Sequence, residues 1–215
     1  SAVCSRALAV QRSGFDGRSK SVDTSSGNRN SSKPCFERSR PTWRRSFCCR
    51  FRNRFWGHRI SIALERSLTR VWCTDLSEEA LLVTKANLAG LGQPAKRVTL
   101  CHGSWFNALP ESLKGKLHVV ASNAPYIPAT EVLPTEVKDW EPSLALYGGA
   151  GGTNHLEEII KESISWLTPQ GSLVLEMSPE QTESMAELAT ATGFNEVLVL
   201  SDLADKPRSL VARKL

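Results

Sequence analysis

The sequence predicts an open α/β sheet whose last strand runs antiparallel to the others. Three observations support this fold class. Strand-like and helix-like segments alternate from about residue 60 onward. Residues 117–121 form an uninterrupted apolar run, typical of a strand buried on both faces of a parallel sheet. The last two strand-like segments follow each other without a helix between them, which favours an antiparallel pair.

The first regular unit is a strand followed by a capped helix. The run Arg70-Val-Trp-Cys-Thr-Asp75, apolar at its centre, predicts a buried strand. Ser77 can cap a helix with acidic residues in its first turn, and Gly92 predicts the end of that helix. The later predicted elements are strands at 98–101, 117–121, 172–177, 197–200 and 209–213 and helices at 155–167 and 179–192.

Composition excludes some classes of protein. In these 215 residues no apolar run approaches the roughly 18 residues that a membrane helix needs. The six cysteines include no Cys-x-x-Cys pair, so we expect no metal site and a reducing, cytoplasmic location. Because no methionine precedes Ser1, we expect a fragment or a processed product.

Charge divides the chain near residue 60. Residues 1–60 contain 14 Lys and Arg against 3 Asp and Glu, whereas residues 61–215 contain 13 against 19. We therefore expect a basic, poorly ordered segment at 1–59 and a folded domain, itself incomplete, at 60–215. The basic segment fits a disordered arm, a mitochondrial or plastid transit peptide, or a nucleic-acid-binding arm with aromatic residues among its arginines.

Three groups of residues lie where such a sheet binds ligands, at the carboxyl ends of its strands. Asn123-Ala124-Pro125-Tyr126 is either an ordinary turn or a site that holds a planar NH2 group through the Asn side-chain oxygen and a backbone carbonyl. Asp75 either flanks a helix or binds ribose hydroxyls. Trp105, in Gly103-Ser104-Trp105-Phe106, either packs in the core or contacts a purine.

Together these motifs resemble the class I, Rossmann-like S-adenosylmethionine-dependent methyltransferases. Within that class they are similar to the HemK-type protein-glutamine methyltransferases that modify peptide-chain release factors. The resemblance also rests on Trp140-Glu-Pro-Ser-Leu-Ala-Leu-Tyr-Gly-Gly149 and Leu175-Glu-Met-Ser-Pro-Glu-Gln181. The glycines of the first of these, with Gly151 and Gly152, are expected in a flexible loop that lines the site.

The resemblance implies a reaction and roles for individual residues. S-adenosylmethionine would be the cofactor, bound by Asp75, Trp105 and Asn123. Asn123, Pro125 and Tyr126 would be catalytic, and residues 123–126 would hold the substrate glutamine of a release factor, Ala124 through its backbone carbonyl. The resemblance implies no metal, no membrane and no nucleic-acid partner.

The family's glycine loop is missing, so the first strand and this loop are expected to be degraded. Residues 47–51 are the only run available for the first strand, and Arg50-Phe-Arg-Asn-Arg-Phe-Trp-Gly-His58 stands where Asp-x-Gly-x-Gly-x-Gly is expected. Reading the codons one base later, with permitted synonymous choices, converts this stretch to Asp-Phe-Gly-Thr-Gly-Ser-Gly-Ala-Ile. We interpret residues up to about 59 as a frame-shifted reading of the family sequence, and we expect arginines in place of glycines to weaken cofactor binding.

Two other functions remain open from the sequence. Related sites methylate the amino groups of nucleic-acid bases, although Trp140-Glu-Pro argues against this. A protein without catalytic activity could instead bind nucleic acid through the basic segment, with binding that falls steeply as salt rises.

Overall fold

The structure, a computed structural model, describes residues 46–51, 63–64, 67–130, 147–149 and 151–215. Seven strands form one sheet: β1 Ser46–Phe51, β2 Arg70–Asp75, β3 Val98–His102, β4 Leu117–Asn123, β5 Leu167–Glu176, β6 Glu196–Ser201 and β7 Pro207–Arg213. Three α-helices are described in full: α1 Glu78–Ala89, α2 Asn154–Trp166 and α3 Thr182–Thr192. Short 3₁₀-helices lie at Gln93–Arg97, Trp105–Ala108, Glu111–Leu113 and Pro179–Gln181.

The strand order in the sheet is β3-β2-β1-β4-β5-β7-β6. Strands β1 to β5 pair in parallel, and β7 is antiparallel to both β5 and β6. The open α/β sheet with an antiparallel end is therefore as predicted from the sequence.

Strand β1 lies at the centre of the sheet, between β2 and β4. Cys48 is in register with Trp72 of β2 on one side and with Val120 of β4 on the other. The run that the sequence offers for the first strand does form that strand. Strand β1 also joins part of the basic segment to the sheet. The boundary at residue 59 stays a prediction, because residues 1–45 and 52–62 lie outside the described part of the chain.

The core has two halves, one on each face of the sheet. Alternate residues of a strand point to opposite faces, so Val120 packs on one face, and Val119 and Ala121 pack on the other. The first face is covered by α2 and α3 through residues such as Leu156, Ile160 and Met185. Burial on both faces explains the continuous apolar run in β4.

Helix α1 begins as predicted but ends earlier. The Ser77 side chain accepts a hydrogen bond from the Ala80 amide at 3.1 Å, which caps the helix. The helix ends at Ala89 with Gly90 as its C-cap, whereas Gly92, at φ 63°, begins the next 3₁₀-helix. Gly92 therefore marks a change of chain direction just beyond the helix end.

Strand β5 begins earlier than predicted, directly after α2. Leu167 already pairs with Leu117, and the register then shifts before Val119 pairs with Ser172. The residues expected to form a turn, Pro169-Gln170-Gly171, lie at this irregularity, and Gln170 has a φ of 61°. The turn chemistry thus produces a bulge within a strand instead of a break before it.

Candidate active site

The parallel strands place the predicted site residues along one edge of the sheet. Asn123 ends β4, with Phe51 of β1 in register on one side and Glu176 of β5 on the other. Asp75 ends β2. Because β1 alone separates β2 from β4, two strand spacings put the backbones of Asp75 and Asn123 about 10 Å apart.

Asp75 is completely buried and bonded to the chain that comes after it. Its Oδ1 accepts a hydrogen bond from the Ser77 amide at 3.0 Å, and its backbone carbonyl accepts one from the Gly103 amide at 2.9 Å. These bonds shape the turn into α1 and tie it to the chain after β3. Asp75 thus has the helix-flanking role, while its cofactor role stays a prediction.

Trp105 packs in the core, which is one of the two interpretations that the sequence left open. It is 4% exposed and packs in the same cluster as Phe106 and Ile159. Its ring centroid lies 5.4 Å from that of His155. Its φ of 39° is in the left-handed region that non-glycine residues rarely adopt, a strain that is concentrated at functional sites. Contact with an adenine ring stays a prediction.

The predicted substrate loop follows Asn123 directly. The Asn123 side chain is half-buried and donates from Nδ2 to Glu176 Oε1 at 3.2 Å. Ala124 and Pro125 are buried, and Tyr126 is half-buried. The backbone carbonyl of Tyr126 accepts a hydrogen bond from Gln181 Nε2 at 2.9 Å. The four residues thus form one short segment fixed from two sides.

A glycine-containing segment packs against this loop. Tyr147 forms a parallel bridge with Ile127, and the Gly148 amide donates to the Ile127 carbonyl at 2.8 Å. A Cβ added to Gly148 would lie 2.6 Å from the Pro125 carbonyl oxygen, and one added to Gly152 would lie 2.3 Å from that of Tyr126. Gly148 and Gly152 thus lie in close contact with the predicted substrate loop, while the flexible, site-lining role of the glycines stays a prediction. Residues 131–146, including Trp140-Glu-Pro-Ser-Leu-Ala-Leu, lie outside the described residues.

Sequence reasoning did not assign roles to two residues of this site, Glu176 and Gln181. Burial raises the pKa of the Glu176 carboxyl, and its Oε2 is buried without a hydrogen-bond partner in the described residues. Gln181, at the start of α3, is 7% exposed. Its Nε2 contacts the substrate loop at the Tyr126 carbonyl and also lies 3.4 Å from the Gly151 carbonyl in the glycine-containing segment. The rule that selected Asp75, a polar residue at a strand end, would also have selected Glu176.

The described ranges contain no group of three or more His, Cys, Asp and Glu residues placed to hold a metal ion. Nor do they contain a helix with the length and apolar character that spanning a membrane requires.

Comparison with known proteins places this site in context. No family model matches the chain. It is 38% identical over 156 residues to the release factor glutamine methyltransferase of Cereibacter sphaeroides, across 72% of this chain and 54% of that protein. With the same-named protein of Synechocystis it shares 37% identity, across 67% and 49%. The chain thus spans about half the length of the curated relatives that it matches, and the resemblance seen in the sequence is confirmed.

Solved structures confirm the fold. A methyltransferase from Pyrococcus furiosus superposes with a TM-score of 0.55 at 17% identity, covering 80% of this chain and 78% of that one. Phosphoethanolamine N-methyltransferase 2 from Haemonchus contortus, in complex with S-adenosylmethionine, gives 0.52 at 13% identity, covering 79% and 48%. At these identities the likeness establishes a methyltransferase fold and nothing further.

Proposed function

We propose that this chain, a relative of the release factor glutamine methyltransferases with a methyltransferase fold, transfers a methyl group from S-adenosylmethionine to a glutamine side-chain amide of a peptide-chain release factor. The observation that carries the proposal is the placement of Asn123-Ala124-Pro125-Tyr126 at the end of β4, beside β5 and across β1 from Asp75. A release-factor substrate places the reaction in the cytoplasm, or in an organelle if residues 1–59 are a transit peptide.

The described strand ends suit the cofactor. A carboxylate between a strand and a helix is the group that binds ribose hydroxyls in nucleotide-binding sheets, and Asp75 occupies that place. Asp75, Trp105 and Asn123 would hold S-adenosylmethionine, which supplies an electrophilic methyl group on its sulfonium. The glycine loop that contacts the cofactor in this kind of sheet would come after β1. Residues 52–62, which follow β1, lie outside the described residues.

The substrate loop suits a planar NH2 group. The side-chain oxygen of Asn123 and the backbone carbonyl of Ala124 can each accept one N–H of a primary amide, which fixes the plane of the group and directs its nitrogen. Pro125 limits the backbone, and the ring of Tyr126 supplies a flat wall. Because these residues include no strong base, the proposed contribution to the rate is orientation of the amide nitrogen.

A transfer assay tests this proposal. The full chain is incubated with a purified release factor and S-adenosylmethionine carrying a labelled methyl group, in parallel with a variant whose residues 50–58 are replaced by Asp-Phe-Gly-Thr-Gly-Ser-Gly-Ala-Ile. We expect label on one glutamine of the release factor, at a higher rate with the replaced loop, and loss of the label in Asn123→Ala made in that variant. Label on RNA or DNA instead of the release factor would favour the base-methylating alternative and contradict the proposal.

A further inference from the structure

The side-chain amide of Asn123 is held in one orientation by a neighbour on the next strand. Asn123 and Glu176 are register partners at the ends of two adjacent parallel strands, β4 and β5. Their side chains meet, with Nδ2 of Asn123 donating to Oε1 of Glu176 at 3.2 Å. Both strands are buried along most of their length, so the two side chains are presented from a rigid part of the sheet.

An asparagine amide has two ends with opposite hydrogen-bonding properties, and its neighbour decides which end faces the site. An ionised carboxylate accepts hydrogen bonds and donates none, so it selects the NH2 end of Asn123. The Oδ1 end then points away from Glu176, and no donor among the described residues bonds to it. Asn123 thereby presents an acceptor and not a donor.

The Glu176 carboxyl lies in surroundings that disfavour its charged form. Burial raises the pKa of its carboxyl, and the opposing influence of Arg208, from β7, does not cancel this. The second oxygen, Oε2, is buried with no hydrogen-bond partner in the described residues. A buried carboxyl oxygen without a partner destabilises a fold, so stability alone does not account for a glutamate beside Asn123.

We propose that Glu176 is a positioning residue, which holds the Asn123 amide so that Oδ1 accepts from the substrate, and which so selects substrates that present N–H groups. This proposal rests on the proposed function, in which a primary amide binds to Asn123 and Ala124. With the Asn123 amide reversed, its NH2 end would face the N–H groups of the substrate, and an amide would be rejected in favour of a carboxylate or a hydroxyl.

The contact itself is tested without substrate or cofactor. In ¹⁵N–¹H spectra of the full chain, the side-chain NH2 signals of Asn123 are identified by their loss in Asn123→Ala. We expect these signals to shift with pH as Glu176 titrates above its usual range, and the shift to be absent in Glu176→Gln, which keeps an acceptor and the side-chain shape. Signals that titrate equally in Glu176→Gln would overturn the proposal.

The second measurement is substrate selection. Binding of N-acetyl-glutamine methylamide and of its glutamate analogue is followed by chemical-shift titration in the wild type, Glu176→Gln, Glu176→Leu and a control at an exposed glutamate, Glu180→Leu. We expect the affinity for the amide to fall about fivefold in Glu176→Leu, the effect of one hydrogen bond, and to be retained in Glu176→Gln and Glu180→Leu.

The two proposals fail in different ways. Equal amide affinity in Glu176→Leu and the wild type would overturn the positioning role. If the wild type binds neither probe while the Asn123 signals still depend on Glu176, the result contradicts the proposed function and supports the contact. If Glu176→Leu does not fold, Glu176→Gln decides through its spectrum, because it changes the charge and keeps the volume.

Discussion

At the scale of single residues, the site contains two strand-end carboxylates, Asp75 and Glu176, in different surroundings. Asp75 is buried, and its carboxylate accepts the Ser77 amide at the start of α1. Glu176 is half-buried, yet its buried Oε2 has no partner in the described residues and its pKa is raised by burial. A raised carboxyl pKa means that the folded state holds the proton more tightly than the unfolded chain does, so ionisation favours unfolding.

The stability of Glu176→Gln relative to the wild type is therefore expected to depend on pH. Below the usual carboxyl pKa of 4.5, Glu176 is protonated in both states and the two proteins should be about equally stable. As pH rises, the unfolded chain ionises first, the wild type loses stability, and Glu176→Gln does not. Denaturant unfolding at about pH 4 and about pH 7 measures this, and a constant difference between the proteins would contradict it.

Glu180 provides a control of opposite sign. Hydrogen bonds from its own backbone amide and from the Ser178 side chain lower the pKa of this exposed carboxyl. A lowered pKa contributes stability above the usual value of 4.5, and this is lost as pH falls through the folded value. We expect Glu180→Gln to be less stable than the wild type near neutral pH and to approach it in acid.

Gln181 is expected to be a structural residue of the site. It donates to the Tyr126 carbonyl at 2.9 Å and accepts from the Ser178 amide at 3.2 Å. Gln181→Leu would leave these part-buried backbone groups without their side-chain partner, at a cost of roughly 1–3 kcal/mol for an unsatisfied group. Thermal and denaturant unfolding measure the loss, with Gln93→Leu, at an exposed position, as the control. Equal stability of the two variants would show that water replaces the Gln181 bonds.

At the scale of elements, the substrate loop is held by the segments on either side of it. Tyr147 and Gly148 bond to Ile127 on one side, and Gln181, at the start of α3, bonds to Tyr126 on the other. At Gly148 and Gly152 the glycine segment lies so close to the substrate loop that backbone carbonyls occupy the space a side chain would need. The position of the loop therefore depends on the absence of side chains at particular glycines.

Two glycine substitutions in this segment are expected to differ sharply. A Cβ at Gly148 would lie 2.3 Å from the Gly152 carbonyl oxygen and 2.6 Å from that of Pro125, whereas at Gly151 the nearest atom, Thr153 Oγ1, is 3.9 Å away. We expect Gly148→Ala to lower stability by about 1–3 kcal/mol and to weaken amide binding, because backbone must move. Gly151→Ala should change both by little. The comparison is made by unfolding and by amide titration, and similar values would contradict the close packing.

The elements and the strand-end residues follow from local sequence, but their contacts across the chain do not. The strand that ends at Asp75 and the cap at Ser77 each depend on a few neighbouring residues, and the structure has them as predicted. The bond between Asn123 and Glu176 spans 53 residues, and that between Tyr126 and Gln181 spans 55. Such pairs depend on strand order and loop path, which local periodicity does not contain.

At the scale of the whole molecule, both the basic segment and the more acidic remainder of the chain contribute strands to the sheet. Residues 61–215, which carry 13 basic and 19 acidic residues, supply six of the seven strands. The central strand comes from the basic segment, yet it pairs with both neighbours along its length. The backbone of the sheet is therefore continuous through β1, where the sequence departs from the expected glycine-loop motif.

Cofactor affinity should reveal that departure. A glycine loop after β1 lets the backbone approach a cofactor, and Arg52 and Arg54 put long side chains into the sequence where glycines are expected. We expect weak or undetectable binding of S-adenosylmethionine to the chain by calorimetry, and measurable binding when residues 50–58 become Asp-Phe-Gly-Thr-Gly-Ser-Gly-Ala-Ile. Micromolar affinity of the unchanged chain would contradict this, and Asp75→Ala in the changed chain should abolish the gain if binding uses the strand ends.

The nucleotide sequence decides where the arginines come from. Tryptophan has one codon, TGG, and the codon for Gly57 begins with G. Read one base later, Trp56 therefore becomes GGG, a glycine codon, whatever the synonymous choices. The frame hypothesis further requires a codon for Arg50 that shifts to Asp and codons for Cys48 and Cys49 that shift to Val, the buried residue type suited to the centre of a parallel sheet. Codons 46–58 that permit these readings would explain how a basic segment comes to supply the central strand at Ser46–Phe51. Codons that exclude them would leave the segment as a genuine basic arm, of which Ser46–Phe51 pairs between β2 and β4.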